Sequence, residues 1–417
     1  MENNDAIPEL KPREHRSGYY SALKTGFQET TTRVQEIHQA IAGWSFQMLR
    51  WIPGLDKPAR LAQNTHDAIA GGVYATLRQG VGGALTVADL LEPHVIAAIN
   101  PPASASVEPP SRLAVGLRSA LNAAVGDHLH HSANPLAITM GFYVGGHPIP
   151  LTTESLSANL PEPSDRLCLF IHGLGCDEHS WQRNTVTAED VPDLDYGQRL
   201  HTELGYTPLY LRYNTGLPVA DNGRQLAQQI QHLLAVWPQP VRELAIIGHS
   251  MGGLVARSAS QHAADQGLSW LRQTRLIICL GSPHRGAALE KIGHRITKAL
   301  HRAPVTAPLG KIAAARSAGI KNLRYGLRAI DQPGQNPPAL PGVALRFIGA
   351  NLAENADHLL GHLLGDGLVT LDSAIPPTLP GDVASVRLGG LHHMALLNEP
   401  RVYQQIRQWL ADDAGAE

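Results

Sequence analysis

Hydrophobic positions along the chain follow two regimes. Up to about residue 130 they recur at helical intervals. Leu23, Phe27, Val34, Ile37, Ile41, Trp44, Phe46, Leu49 and Trp51 predict an amphipathic helix over Tyr19 to Trp51, stopped at Pro53-Gly54. Similar spacing predicts helices from about Pro58 to Gln79, over Leu85 to Ile99 after the glycines at 80, 82 and 83, and over Leu113 to Leu129. Pro101-Pro102 and Pro109-Pro110 bracket a linker before the last of these, and residues 1–18 are expected to form a disordered tail.

Beyond residue 136 the pattern changes to short apolar runs alternating with helical stretches. Ala137 to Leu151 holds two strand-like runs split by Gly145-Gly146, the signature of a hairpin. Further strands are expected at Arg166 to Ile171, Thr207 to Tyr213, Leu244 to Ile247, Arg275 to Leu280, Val343 to Ile348 and Val383 to Leu388. Helices are expected at Asn222 to Trp237, Gly252 to Ala264 and Pro400 to Leu410. Runs that are apolar throughout suit strands buried on both faces, so the fold class is α/β, a mostly parallel sheet covered by helices. Three parts follow: a tail at 1–18, a helical accessory region at 19–136, and an α/β domain at 137–417 with a helical insertion at about 287–337. The insertion falls after a strand's carboxyl end, where a lid would sit.

Candidate chemistry gathers at strand ends. The run Leu244-Ala245-Ile246-Ile247 leads into Gly248-His249-Ser250-Met251-Gly252. A G-x-S-x-G between a buried strand and a helix makes Ser250 the candidate nucleophile, its neighbours glycines because strand and helix backbones approach too closely for a Cβ. A serine hydroxyl needs a base to take its proton and a carboxylate to orient that base. Asp366, between Gly365 and Gly367, is the candidate carboxylate, with Asp372 and Asp357 as rivals. The base is expected near the C-terminus at His392-His393, where the apolar run that follows favours His393. Oxyanion donors are expected from the backbone N–H groups of Met251, at the start of the helix, and Leu174, between Gly173 and Gly175. His172 and His284 read as structural residues at strand ends.

Composition narrows the classes. A net charge of -2 without a large basic patch excludes a nucleic-acid binder. The three cysteines, Cys168, Cys176 and Cys279, lack metal-ligand spacing and read as free thiols. No metal or cofactor is implied. The polar opening MENNDAIPELKPREHR is unlike an export signal, and no apolar stretch is long enough to span a bilayer, so a cytoplasmic location is expected. Trp44, Arg50 and Trp51 allow a second use of residues 19–130, as a lipid-facing surface in peripheral membrane contact, beside that of a packed cap or a partner-binding element.

The set Phe170-Ile171-His172-Gly173-Leu174-Gly175, Tyr213-Asn214-Thr215-Gly216, Gly248 to Gly253, Gly281-Ser282-Pro283-His284-Arg285-Gly286, Gly365 to Val369 and His393 to Leu397 resembles the alpha/beta-hydrolase superfamily. Within it, the likeness is to bacterial lipase- and esterase-like proteins and the related inositol-deacylase-like group, over roughly residues 137 to 410. The resemblance implies Ser250 as nucleophile, Asp366 as orienting carboxylate and His393 as base, with Leu174 and Met251 as oxyanion donors. It further implies hydrolysis of a lipid or other apolar acyl ester through an acyl-enzyme, without a cofactor. A thioesterase, amidase or polyester hydrolase with the same triad is the first alternative. A non-catalytic scaffold binding lipid or a partner is the second. The long helical leader departs from the minimal domain of that superfamily.

Overall fold

A computed structural model describes residues 112–134, 136–160, 162–182, 195–286, 317–323, 326, 337–354, 365–376 and 379–412, with scattered helical residues between 35 and 75. The tail at 1–18, the linker, most of the helices expected before residue 100 and most of the 287–337 insertion lie outside the described residues, as does Asp357.

Eight strands form one sheet: β1 (Gly141–Val144), β2 (His147–Ile149), β3 (Arg166–Ile171), β4 (Thr207–Arg212), β5 (Glu243–His249), β6 (Thr274–Leu280), β7 (Ala344–Asn351) and β8 (Val383–Gly389). Their order is β2-β1-β4-β3-β5-β6-β7-β8. The β1–β2 hairpin turns at Gly145-Gly146, both at positive φ, and joins β4 antiparallel; every pairing from β4 through β8 is parallel.

Helices cover both faces. Along β5, Leu244 and Ile246 enter one apolar cluster while Ala245 and Ile247 enter the other; along β3, Leu167, Leu169 and Ile171 part from Cys168 and Phe170 in the same way. Successive strand side chains point to opposite faces, so a strand buried on both must be apolar at every position. The first cluster holds residues of α4 (Val219–Ala235) and α5 (Met251–Asp265), among them Leu226, Ile230, Leu254 and Val255. The second holds α3 (Tyr196–Leu204) and α8 (Pro400–Asp412) through Tyr196, Leu200, Val402, Tyr403 and Ile406. Three further short helices are α2 (Thr153–Asn159), α6 (Ala318–Leu323) and α7 (Leu371–Ala374).

Charge is buried at the amino ends of the strands. Glu243 meets Arg166 Nε at 2.9 Å, Arg275 Nη1 at 3.0 Å and the Tyr206 hydroxyl. These partners satisfy a carboxylate that would be costly to bury alone. The long helix α1 (Arg112–His131) precedes the sheet and kinks at Val125 (φ -140°, ψ 20°). Among the described residues no helix is long and apolar enough to cross a membrane.

Candidate active site

Ser250 sits between the end of β5 and the first residue of α5 with φ 54° and ψ -122°, one of three non-glycine residues at positive φ among those described. Such a conformation costs on the order of 1–3 kcal/mol and persists only where the surroundings enforce it. They do so here through close backbone approach. A Cβ on Gly248 would stand 2.5 Å from the Gly252 carbonyl carbon, and one on Gly252 would strike the Ile171 carbonyl oxygen. The Ser250 N–H donates to Leu280 O at 2.8 Å, pinning the turn to the end of β6.

Asp366 lies in the loop after β7, between Gly365 (φ 55°) and Gly367 (φ 97°). Its Oδ1 accepts the N–H groups of Leu368 (3.0 Å) and Val369 (2.8 Å), which leaves Oδ2 for His393 Nδ1 at 2.7 Å. The His393 backbone N–H also donates to Asp366 O, at 3.0 Å. Both side chains are buried, with Asp366 2% and His393 4% exposed. A carboxylate on Nδ1 selects the tautomer protonated there, so Nε2 carries the lone pair a general base requires. The rival positions are placed differently. Asp372 is exposed in the first turn of α7, and the Nδ1 of half-buried His392 has no hydrogen-bond partner.

Gly281, just past β6, relates this pair to Ser250. A Cβ there would lie 3.1 Å from Asp366 Oδ2 and 3.2 Å from His393 Cε1, one residue from the carbonyl that holds Ser250. Ser250, Asp366 and His393 thus converge at the carboxyl ends of β5, β6 and β7. Among the described residues no hydrogen bond joins the Ser250 hydroxyl to the His393 ring. Such bonds commonly tighten only when substrate binds.

Leu174 and Met251 flank the same point. A Cβ on Gly173 would be 3.0 Å from Ser250 Cβ, so the Gly173–Gly175 loop lies directly against the serine. Fully buried His172 donates from Nδ1 to Gly173 O at 2.9 Å, and Gly175 N–H donates to Thr215 Oγ1 at 3.2 Å. Among the described residues neither the Leu174 nor the Met251 N–H has an acceptor within the chain. Two unsatisfied donors beside a nucleophile can receive a developing oxyanion.

Residues 162–313 match the family described as a PGAP1-like alpha/beta domain, a span that includes Leu174 and Ser250 and ends before Asp366 and His393. The chain carries an alpha/beta-hydrolase fold. No curated protein sequence matches it. Among solved structures, it is similar to a Bacillus licheniformis lipase in its propeptide form, with 19% identity and a TM-score of 0.42 over 65% of this chain and 53% of that one. The chain therefore spans about half the length of that lipase. It is also similar to a lipase-esterase related protein from Clostridium acetobutylicum (14% identity, TM-score 0.34, 59% of this chain and 94% of that one). A thioesterase of the prodiginine pathway in Streptomyces coelicolor gives 14% identity and a TM-score of 0.35 over 62% and 96% of the two chains.

Several residues of this hydrolase fold gain roles that the sequence did not indicate. Helix α1 packs against the loop after β4 and against Gly175, where a Cβ would lie 3.5 Å from Ala123 Cβ. Asn214 Nδ2 donates to Gly126 O at 2.9 Å, next to the kink, and a Cβ on Gly216 would stand 2.8 Å from Gly126 Cα. Ser317 Oγ donates to Ala123 O at 2.6 Å and Ala318 N–H to Asp127 Oδ2 at 2.8 Å, which seats α6 on the same helix. Beneath the hairpin, Glu178 and Arg212 form a buried two-pronged ion pair, with Nε to Oε2 at 2.7 Å and the guanidinium over the Tyr143 ring. The acidic residue in the Cys176-Asp177-Glu178 stretch and the arginine closing β4 were the available signal.

His284 accepts at Nδ1 from buried Arg257 (3.1 Å), and its backbone N–H donates to Ser373 O at 3.0 Å. Burial first, then the adjacent guanidinium, hold its pKa well below the usual range, and burial lowers Arg257 to about 10. His284 braces the strand-end turn. A cavity of about 490 Å³, lined by Arg275, Leu340, Val343 and Asp382 among others, opens at the amino ends of β6, β7 and β8, the opposite end of the sheet from Ser250. Among the described residues no cluster of three or more His, Cys, Asp or Glu side chains could hold a metal ion.

Proposed function

We propose that this hydrolase-fold chain is a serine carboxylic-ester hydrolase, esterase- or lipase-like, acting through an acyl-enzyme on a lipid or other apolar acyl ester. The observation that carries the reading is the 2.7 Å bond between His393 Nδ1 and Asp366 Oδ2, at the strand ends where strained Ser250 stands. In this scheme His393 Nε2 takes the proton of Ser250 Oγ as the oxygen attacks the ester carbonyl. The carbonyl oxygen becomes negative and is met by the N–H groups of Leu174 and Met251. Collapse of the tetrahedral adduct breaks the bond to the alkoxide, which leaves with the proton from His393. Water, deprotonated by the same nitrogen, then attacks the acyl-enzyme and regenerates Ser250.

Asp366 keeps its negative charge throughout and compensates the imidazolium. The direct test is reaction of the full chain with a fluorophosphonate, followed by mass spectrometry of peptides. A single adduct on Ser250, absent after replacement of His393 by alanine, is expected. An adduct on another residue, or labelling indifferent to His393, contradicts the assignment.

A further inference from the structure

His249, the residue preceding the serine, is buried where three strand-end segments meet. Its Nε2 lies 3.1 Å from the backbone oxygen of His393, and the two rings stand with centroids 4.7 Å apart. A carbonyl can only accept, so Nε2 carries the proton and donates. The ring is then the neutral tautomer with its lone pair on Nδ1. That nitrogen is buried, has no hydrogen-bond partner and lies 3.2 Å from where a Cβ on Gly173 would stand. The edge of the Trp181 indole closes a further side, with centroids 6.4 Å apart. One imidazole thus touches the nucleophile turn, to which it belongs, the loop bearing the base, and the loop bearing Leu174.

We propose that His249 is a positioning residue, whose Nε2–H holds the backbone carbonyl of His393 and so fixes the base relative to Ser250. The inference rests on His393 acting as the base. Asp366 fixes the base from one side, by the bonds to Nδ1 and to the backbone N–H. Other bonds hold the two loops to the end of β7, through Leu391 N–H to Asn351 O and Leu352 N–H to Gly365 O, both at 2.9 Å, and none of these reaches β5. The bond from His249 joins the base residue itself to β5, the strand that carries the nucleophile. Burial, and next the neighbouring His393, keep the His249 pKa well below its ordinary value. A neutral imidazole at this point adds no charge against the imidazolium that His393 must become.

The test measures kcat and KM on a p-nitrophenyl ester for the full chain, His249→Gln, His249→Leu and His393→Ala, each with a thermal unfolding curve. A glutamine side-chain N–H can reach the same carbonyl, whereas leucine fills the space without a donor. The expected result is a fall in kcat on the order of tenfold to a hundredfold in His249→Leu with KM little changed, as for a misplaced catalytic group. His249→Gln is expected to recover most of that loss. Should His249→Leu fail to fold, His249→Asn, whose shorter amide cannot reach, takes its place. Equal losses in the Gln and Leu variants, no loss in either, or a His249→Gln chain that does not fold, overturn the positioning role while His393→Ala is inactive. Activity surviving in His393→Ala instead overturns the base assignment on which it rests.

Discussion

His393 is tied to Asp366 twice, through Nδ1 to the carboxylate at 2.7 Å and through its backbone N–H to the Asp366 carbonyl at 3.0 Å. One bond sets the tautomer and the other sets where the ring stands. Asp366→Asn removes the first and keeps the second. It is expected to lower kcat by on the order of ten-thousand-fold, as expected for loss of a triad carboxylate, with the unfolding temperature little changed. Steady-state ester kinetics of Asp366→Asn beside Asp372→Asn check this, since exposed Asp372 is expected to tolerate the change.

Gly173 faces the serine too closely for a side chain, with a Cβ 3.0 Å from Ser250 Cβ and 3.2 Å from His249 Nδ1. Gly173→Ala is expected to push the Leu174 loop away from the site and lower kcat by roughly a hundredfold, the effect of an ångström-scale misplacement. A kcat within a few-fold of the natural chain would show that the loop yields without consequence.

Three buried histidines set an acid limit on stability. Burial is the largest cause of a lowered pKa in His172, His249 and His284. Each therefore takes up its proton at a lower pH in the folded chain than in the unfolded chain. Stability from these groups is therefore complete above about pH 6.5 and lost as pH falls, by at most about 1.4 kcal/mol per pH unit for each. Urea unfolding between pH 7 and pH 5 measures the slope. In His284→Asn, which keeps an acceptor for Arg257, the slope is expected to be shallower by about one proton.

Helix α1 shares backbone-level contact with the loop at Asn214–Gly216 and seats α6. A chain beginning at residue 132 loses these partners, and its buried polar groups are left unsatisfied at about 1–3 kcal/mol apiece. Lowered thermal stability and weakened ester hydrolysis are expected together. A truncated chain with unchanged melting and kinetics would show that α1 contributes to neither.

Much of this was legible beforehand for identifiable reasons. β3, β5 and β6 are apolar over Leu167–Ile171, Leu244–Ile247 and Leu276–Leu280 because both sheet faces are covered there, and the hairpin glycines at 145 and 146 mark their own turn. Ser250, Asp366 and His393 each sit at a glycine-marked or histidine-marked strand end, so local sequence pointed to their loops. The short helices α2 and α3 escaped because too few apolar positions repeat: α3 buries only Tyr196, Gly197 and Leu200. The contact of α1 with the site was invisible because it runs through Gly126 and Gly216, and hydrophobic periodicity does not record backbone-to-backbone packing. His249 was hidden in a motif position that any residue can fill; its bond to a carbonyl 144 residues away exists only in three dimensions. Expectations for most of residues 19–99 and most of 287–337 fall outside the described residues.

The central claim is that Ser250 and His393 act as nucleophile and base. Release of p-nitrophenol from esters of graded acyl length, by the full chain beside Ser250→Ala, His393→Ala and His392→Ala, tests it most directly. Turnover is expected to fall on the order of a million-fold in Ser250→Ala and His393→Ala and to survive in His392→Ala, while the chain-length profile separates esterase from lipase behaviour. Turnover that persists in Ser250→Ala would contradict the account.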